Sequence, residues 1–255
     1  MENNKINQTN CNKCGHLTTR HANFCSRCGT RLKKSTPDKQ FLKDRKALTH
    51  IMSYYFILLI LICTYRLTDI FPATQQSYLV LVGIFICLNI VFVLLNFNEL
   101  KRILTHPIRY KPLIIMTCGV IALAVLVYFL ASFLNRIIFD KDPAVTDFYI
   151  GNRNTLLYSF IFISIIPAFF EELAFRGFLI NHFIKLIRIK PTIIVTALLF
   201  SIIHLSFISF IWLLPVGLIF GYMRLRYRSI WYSIIGHFVY NTVLVIIEFS
   251  GMQAI

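Results

Sequence analysis

The chain has 255 residues, 57% of them hydrophobic and 15% charged, and a mean hydropathy of +0.67. This excludes an ordinary soluble domain, which needs a polar surface around its core, and fits a chain that lives in a bilayer. The net charge of +15 calls for no nucleic-acid partner, because Lys and Arg gather in the N-terminal segment and in short connectors between apolar runs, as the positive-inside rule dictates.

Residues 1–34 read as a small metal module. Cys11-Asn12-Lys13-Cys14-Gly15 and Phe24-Cys25-Ser26-Arg27-Cys28-Gly29 are two CxxCG units separated by a short connector. Zn²⁺ takes four thiolates in a tetrahedron. Each CxxC turn supplies two sulfurs, and the glycine after it permits a tight turn. So small a module has little core of its own, so zinc binding would supply its stability. His16 and His21 lie between the pairs, but Cys11, Cys14, Cys25 and Cys28 already fill the coordination shell. The module resembles the short zinc ribbon at the N-terminus of many bacterial membrane proteins, which implies a structural or sensing role: a closed Cys₄ site has no open position for catalysis. Cys63, Cys87 and Cys118 lie singly in apolar runs and read as small buried hydrophobes. Residues 35–47 read as a basic polar linker opened by the turn chemistry of Ser35-Thr36-Pro37-Asp38.

From residue 48 to 255 the sequence predicts an all-α polytopic membrane protein of seven to eight transmembrane helices. No signal peptide precedes the first apolar run, so the first helix is expected to act as the insertion signal. The candidate spans are Leu48–Tyr65, Ser77–Phe97, Pro112–Leu134, Thr155–Phe170 with an apolar continuation, Pro191–Ser206, Ile208–Tyr222 and Ile230–Phe249. The fourth to sixth are short or poorly bounded, so one of them is expected to be broken or re-entrant. The connectors carrying Lys101, Arg102, Arg109 and Lys111, then Lys185, Arg188 and Lys190, then Arg224, Arg226 and Arg228 are richer in cations than the connectors that alternate with them. This assigns a cytoplasmic N-terminus and an outer C-terminus in a multi-pass protein of the cell membrane.

Charged groups inside apolar spans are expensive and point to function. Glu171-Glu172-Leu173-Ala174-Phe175-Arg176 places Glu172 and Arg176 at i,i+4, where they can pair. Glu171 then points about 100° away and is left available as a general base. Phe200-Ser201-Ile202-Ile203-His204 and His237-Phe238-Val239-Tyr240-Asn241 put further polar groups on apolar helices. His237 and Asn241, one turn apart, are suited to hold an oxyanion and equally suited to join helices by hydrogen bonds; a snorkelling cluster or a core histidine would explain the other two motifs. Counted from the basic connectors at about 1.5 Å per residue, all these groups reach depths of roughly 14–25 Å. A fourth helix running from Thr155 to Arg188 would be about 50 Å long against a hydrocarbon core of about 30 Å, so it must tilt, break or kink, with Pro167 as the kink.

EExxxR, FxxxH and HxxxN in this order resemble the CPBP family, which includes the type II CAAX prenyl endopeptidases and the bacterial Abi-type proteins linked to bacteriocin self-immunity. The resemblance covers roughly residues 155–250. It implies peptide-bond hydrolysis in a membrane-embedded cavity open to the cytosol, acting on a membrane-associated peptide or protein. Glu171, assisted by His204, would activate water. His237 and Asn241 would hold the oxyanion. Glu172 and Arg176 would fix the helix, with Arg176 also able to touch substrate. Three other readings stay open: a zinc shell of Glu171, His204 and His237, a non-proteolytic immunity or scaffold protein, and a transporter using the same buried charges. The catalytic-metal reading lacks the HExxH spacing of common zinc proteases.

Overall fold

A computed structural model describes residues 8–11, 13–19, 27–28, 37–71, 74–139 and 154–252. The chain divides into two compact units, Met1–Ala47 and Leu48–Ile255.

In the first unit, β1 (Gln8–Asn10) pairs antiparallel with β2 (Leu17–Thr19), Thr9 facing Thr18. The first CxxC forms the turn between them. The Cys11 N–H donates to the His16 carbonyl and the Gly15 N–H to the Cys11 carbonyl, both at 2.9 Å. Gly15 sits at φ +68°, the left-handed region that only glycine occupies without strain.

Helix α1 (Pro37–Leu67) starts at a proline, whose missing N–H costs nothing in a first helical turn. The segment expected to be a polar linker is therefore helical from Pro37. The turn signal of Ser35-Thr36-Pro37 also suits a helix start, and charged residues extend a helix readily. Then follow α2 (Gln75–Leu95), α3 (Phe97–Leu104), α4 (Tyr110–Phe139), α5 (Thr155–Leu186), α6 (Ile189–Ile202), α7 (Phe207–Tyr227) and α8 (Trp231–Met252). Among the described residues, six of these helices are long and apolar enough to cross a membrane. The 14-residue α6 is the shorter apolar one, at about 21 Å too short for a bilayer core of about 30 Å.

The short α3 lies in the connector after α2. It buries Leu100 and Ile103 against Leu173, Ile230 and Ile234 and keeps Lys101 and Arg102 exposed. An amphipathic helix of this kind suits the membrane interface. Cys87 and Cys118 are exposed on helix surfaces rather than buried, and Cys63 is half-buried. In a membrane-spanning helix an outward face meets lipid, so a thiol is accommodated there without being packed.

α5 is the centre of the bundle. Its Ala174, Phe175, Phe178 and Leu179 form one core with Ile51, Tyr54 and Leu58 of α1 and Phe200 of α6. On another side, α4, α7 and α8 pack through Val120, Ala124, Val216, Phe220 and Tyr240. Tyr54 is fully buried, and its hydroxyl donates to Asn89 Oδ1 of α2 at 3.1 Å. Tyr54→Phe is expected to lower stability by about 1 kcal/mol, because it removes one buried hydrogen bond and leaves the Asn89 oxygen unmet. Thermal unfolding in detergent would show it, and an unchanged midpoint would mean the bond contributes nothing.

Candidate active site

α5 runs unbroken through the 32 residues Thr155–Leu186. Two π-helical stretches, Phe160–Ile165 and Leu173–Leu179, flank the α-helical turns Ile166–Glu172 that end on the paired glutamates. Stretches of this kind concentrate at functional sites, because they re-aim the side chains beside them. Pro167 stands in the intervening segment and has no N–H to offer the carbonyl of Ile163 four residues earlier. Asn241 of α8 meets that carbonyl instead, its Nδ2 donating at 2.7 Å. An unmet carbonyl in a membrane span costs several kcal/mol, so this bond ties α8 to the weak point of α5.

Glu172 is 0% exposed. Its Oε1 accepts from Arg176 Nη1 and from His237 Nδ1, each at 2.9 Å. Arg176, 1% exposed, also donates to the Gly217 carbonyl at 3.4 Å. Its guanidinium lies 4.4 Å from the centroid of the Phe200 ring, with Phe220 on another side at 5.7 Å, so the charge is balanced by a carboxylate and two aromatic rings. The expected i,i+4 pair is thus formed and sealed.

Glu171 faces elsewhere. It lines a cavity of about 260 Å³ together with His204, between α1, α2, α5 and the end of α6. The remaining walls are mostly apolar, among them Leu58, Val82, Phe85, Phe162 and Pro167, with Tyr65, Arg66 and Tyr78 on α1 and α2. His204 stands in the turn that ends α6, and Leu205 beside it takes φ +48°. Its Nδ1 lies 2.8 Å from the Phe200 carbonyl. A carbonyl can only accept, so the proton is on Nδ1 and neutral His204 keeps Nε2 as a lone pair. Ser206 then starts α7 as its N-cap, its Oγ accepting from the Ser209 N–H at 3.2 Å. The short α6 and this turn set His204 at the level of Glu171.

His237 joins the two glutamates. Its Nδ1–H serves the Glu172 carboxylate, and its Nε2 stands 4.0 Å from Glu171 Oε2. The structure therefore brings Glu171, Glu172, Arg176, His204 and His237 together, while Asn241 lies one turn farther along α8 against Ile163. Sequence reasoning missed Gly217. The carbonyl of Gly217 receives Arg176, and a Cβ there would come within 3.1 Å of that of Ala197. The Gly217-Leu218-Ile219-Phe220-Gly221 spacing was the available signal, since small-xxx-small faces let membrane helices approach closely.

In the N-terminal unit, the sulfurs of Cys11, Cys14 and Cys28 lie within 4.8 Å of one another, and among the described residues this is the group of three or more metal-ligating side chains that gathers closely enough to hold an ion. Cys25 lies outside the described residues. Cys11 Sγ and Cys28 Sγ are 3.6 Å apart, close to the spacing of about 3.8 Å between thiolates bound at ~2.3 Å in a tetrahedron. The backbone of Lys13, hydrogen-bonded to the Cys11 thiol, is the largest influence holding its pKa below the ordinary value, which favours the thiolate that binds metal.

No curated protein and no solved structure matches the chain. Residues 153–243 do match the family model described as type II CAAX prenyl endopeptidase Rce1-like. That span carries all three motifs, so this multi-pass membrane chain contains a region, residues 153–243, that is similar to the type II CAAX prenyl endopeptidase Rce1-like family.

Proposed function

We propose that the chain is an intramembrane endopeptidase that cleaves membrane-associated peptides or proteins with water activated by Glu171 and His204. The observation that carries this is the shared cavity, where a half-buried carboxylate and a histidine lone pair face the same apolar space. A water held between them gives a proton to Glu171 while its oxygen attacks the scissile carbonyl. The C–N bond then breaks, and the leaving amine takes the proton back from Glu171. His237 is assigned to the oxyanion: the Glu172 carboxylate at its Nδ1 orients the ring, and its Nε2 stands 4.0 Å from Glu171 Oε2, beside the attacking water. Glu172 and Arg176 hold this arrangement in place. Asn241 acts at one remove, by fixing α8 to α5; its second amide hydrogen is the one left for an oxyanion.

Among the described residues, the ligating atoms of Glu171, His204 and His237 do not gather within 4.8 Å of one another as the three N-terminal cysteines do, which supports water activation by carboxylate over a catalytic zinc shell. We assign zinc instead to Cys11, Cys14, Cys25 and Cys28, as a structural ion. The charge distribution over the connectors supports a cell-membrane protein with a cytoplasmic N-terminus.

The test compares purified wild type with a variant carrying Ser at all four cysteines, measuring metal content and peptide cleavage with and without chelator. The expected result is one zinc in wild type, none in the variant, and cleavage in both that chelator leaves intact. A variant that retains zinc and loses cleavage to chelator would make Glu171, His204 and His237 metal ligands.

A further inference from the structure

A second polar cavity, of about 430 Å³, lies at the bundle end that carries the basic connectors. It is lined by Arg102 of α3, His106 after it, Asn181 and Lys185 in the last turns of α5, and Arg224 and Arg228 at the end of α7. Its one acidic lining residue, Glu99, is already engaged by Lys185 at 2.6 and 2.8 Å. Among the described residues, Arg102, Arg224 and Arg228 make no ion pair with a carboxylate.

Arg224 is the unusual member. It is 5% exposed; one guanidinium nitrogen donates to Asn181 Oδ1, and its Nε is buried with no partner. A buried guanidinium whose charge meets only a neutral amide is costly and calls for an anion. Arg176 shows the alternative in this same molecule, with its carboxylate built in. Arg228 closes α7 in the left-handed conformation, φ +58°, a position usually given to glycine or asparagine. An arginine there adds a cation to the cavity wall.

We propose that this cavity is a phosphate-binding site, filled by the headgroup of an anionic phospholipid or by free phosphate. Arg224 forms its buried floor, and Arg102 and Arg228, both exposed, close on it from the rim. Planar guanidinium forks suit phosphate oxygens, and three of them from separate elements can surround one tetrahedral anion. The bundle end facing the membrane surface is where such headgroups lie. A bound phosphate would join α5 to α7 five residues beyond Arg176, reinforcing the Arg176–Gly217 tie between the same helices. The site is independent of the catalytic reading.

The full chain in nanodiscs of neutral phosphatidylcholine, with and without a minority of phosphatidylglycerol, provides the test. Lipid retained on the protein is read by native mass spectrometry and stability by thermal unfolding, and inorganic phosphate is titrated into the neutral discs. Wild type is expected to retain phosphatidylglycerol and to unfold at higher temperature with it. A rise with inorganic phosphate in neutral discs instead identifies the free anion as the source. Arg102→Ala with Arg228→Ala is expected to weaken retention roughly thirtyfold, and Arg224→Gln to abolish it. If Arg224→Gln does not fold, the double rim variant decides. Lys111→Ala with Lys190→Ala, which removes two cations outside the cavity, is expected to bind as wild type does. No response to either probe, or an equal loss in this control, would overturn the site and leave only diffuse attraction between basic connectors and anionic lipid.

Discussion

Glu171→Gln is expected to reduce peptide cleavage by about 10²–10⁴-fold while leaving the protein folded. The substitution keeps shape and volume and removes the carboxylate that lines the cavity, which stands 4.0 Å from His237 Nε2. The same change at its neighbour should behave differently. Glu172 is sealed between Arg176 and His237, so Glu172→Gln is expected to cost stability as well as activity. Initial rates on a membrane-anchored peptide, read beside unfolding temperatures for both variants, distinguish the two. A Glu171→Gln protein that cleaves at the wild-type rate would remove Glu171 from the chemistry. A Glu171→Gln protein that still protects a host cell would instead identify an immunity or scaffold function needing no hydrolysis.

How much of this arrangement was legible before the structure depends on whether a contact runs along one helix or between two. Spacing alone gave the Glu172–Arg176 pair, because i,i+4 positions on a helix are neighbours by geometry. FxxxH likewise places His204 Nδ1 over the Phe200 carbonyl four residues back. Contacts across helices left no such trace. Nothing in HxxxN says that His237 reaches Glu172, or that Asn241 reaches the Ile163 carbonyl that Pro167 leaves without its α-helical donor. Those depend on how closely α8 and α5 approach. The apolar run counted as a span near Pro191–Ser206 proved to be the short α6, whose end is fixed by the turn at His204 and Leu205 rather than by any change in hydropathy. α3 was hidden because its amphipathic residues sit in a stretch read as a cationic connector; Leu100 and Ile103, three apart, were the signal. Where a kink was expected at Pro167, the structure has π-helical stretches on both sides of it, Phe160–Ile165 and Leu173–Leu179.

Arg176→Met should cost about 3–5 kcal/mol of stability, the usual penalty for removing one partner of a buried ion pair. Three losses coincide at this one residue. Glu172 would keep a negative charge in a fully buried place without the cation that faces it. The Gly217 carbonyl would lose its donor, and the Phe200 ring its cation at 4.4 Å. Arg176→Lys restores the charge but not the fork that reaches both Glu172 and Gly217, so it is expected to fall between the two. Combining Glu172→Gln with Arg176→Met removes both charges, and is expected to recover part of the stability lost in Arg176→Met while remaining inactive. That recovery is the informative measurement, because it separates a scaffold role from a catalytic one. If Arg176→Met unfolds at the wild-type temperature and loses only cleavage, the guanidinium is not a support for Glu172, and its place is on the substrate instead.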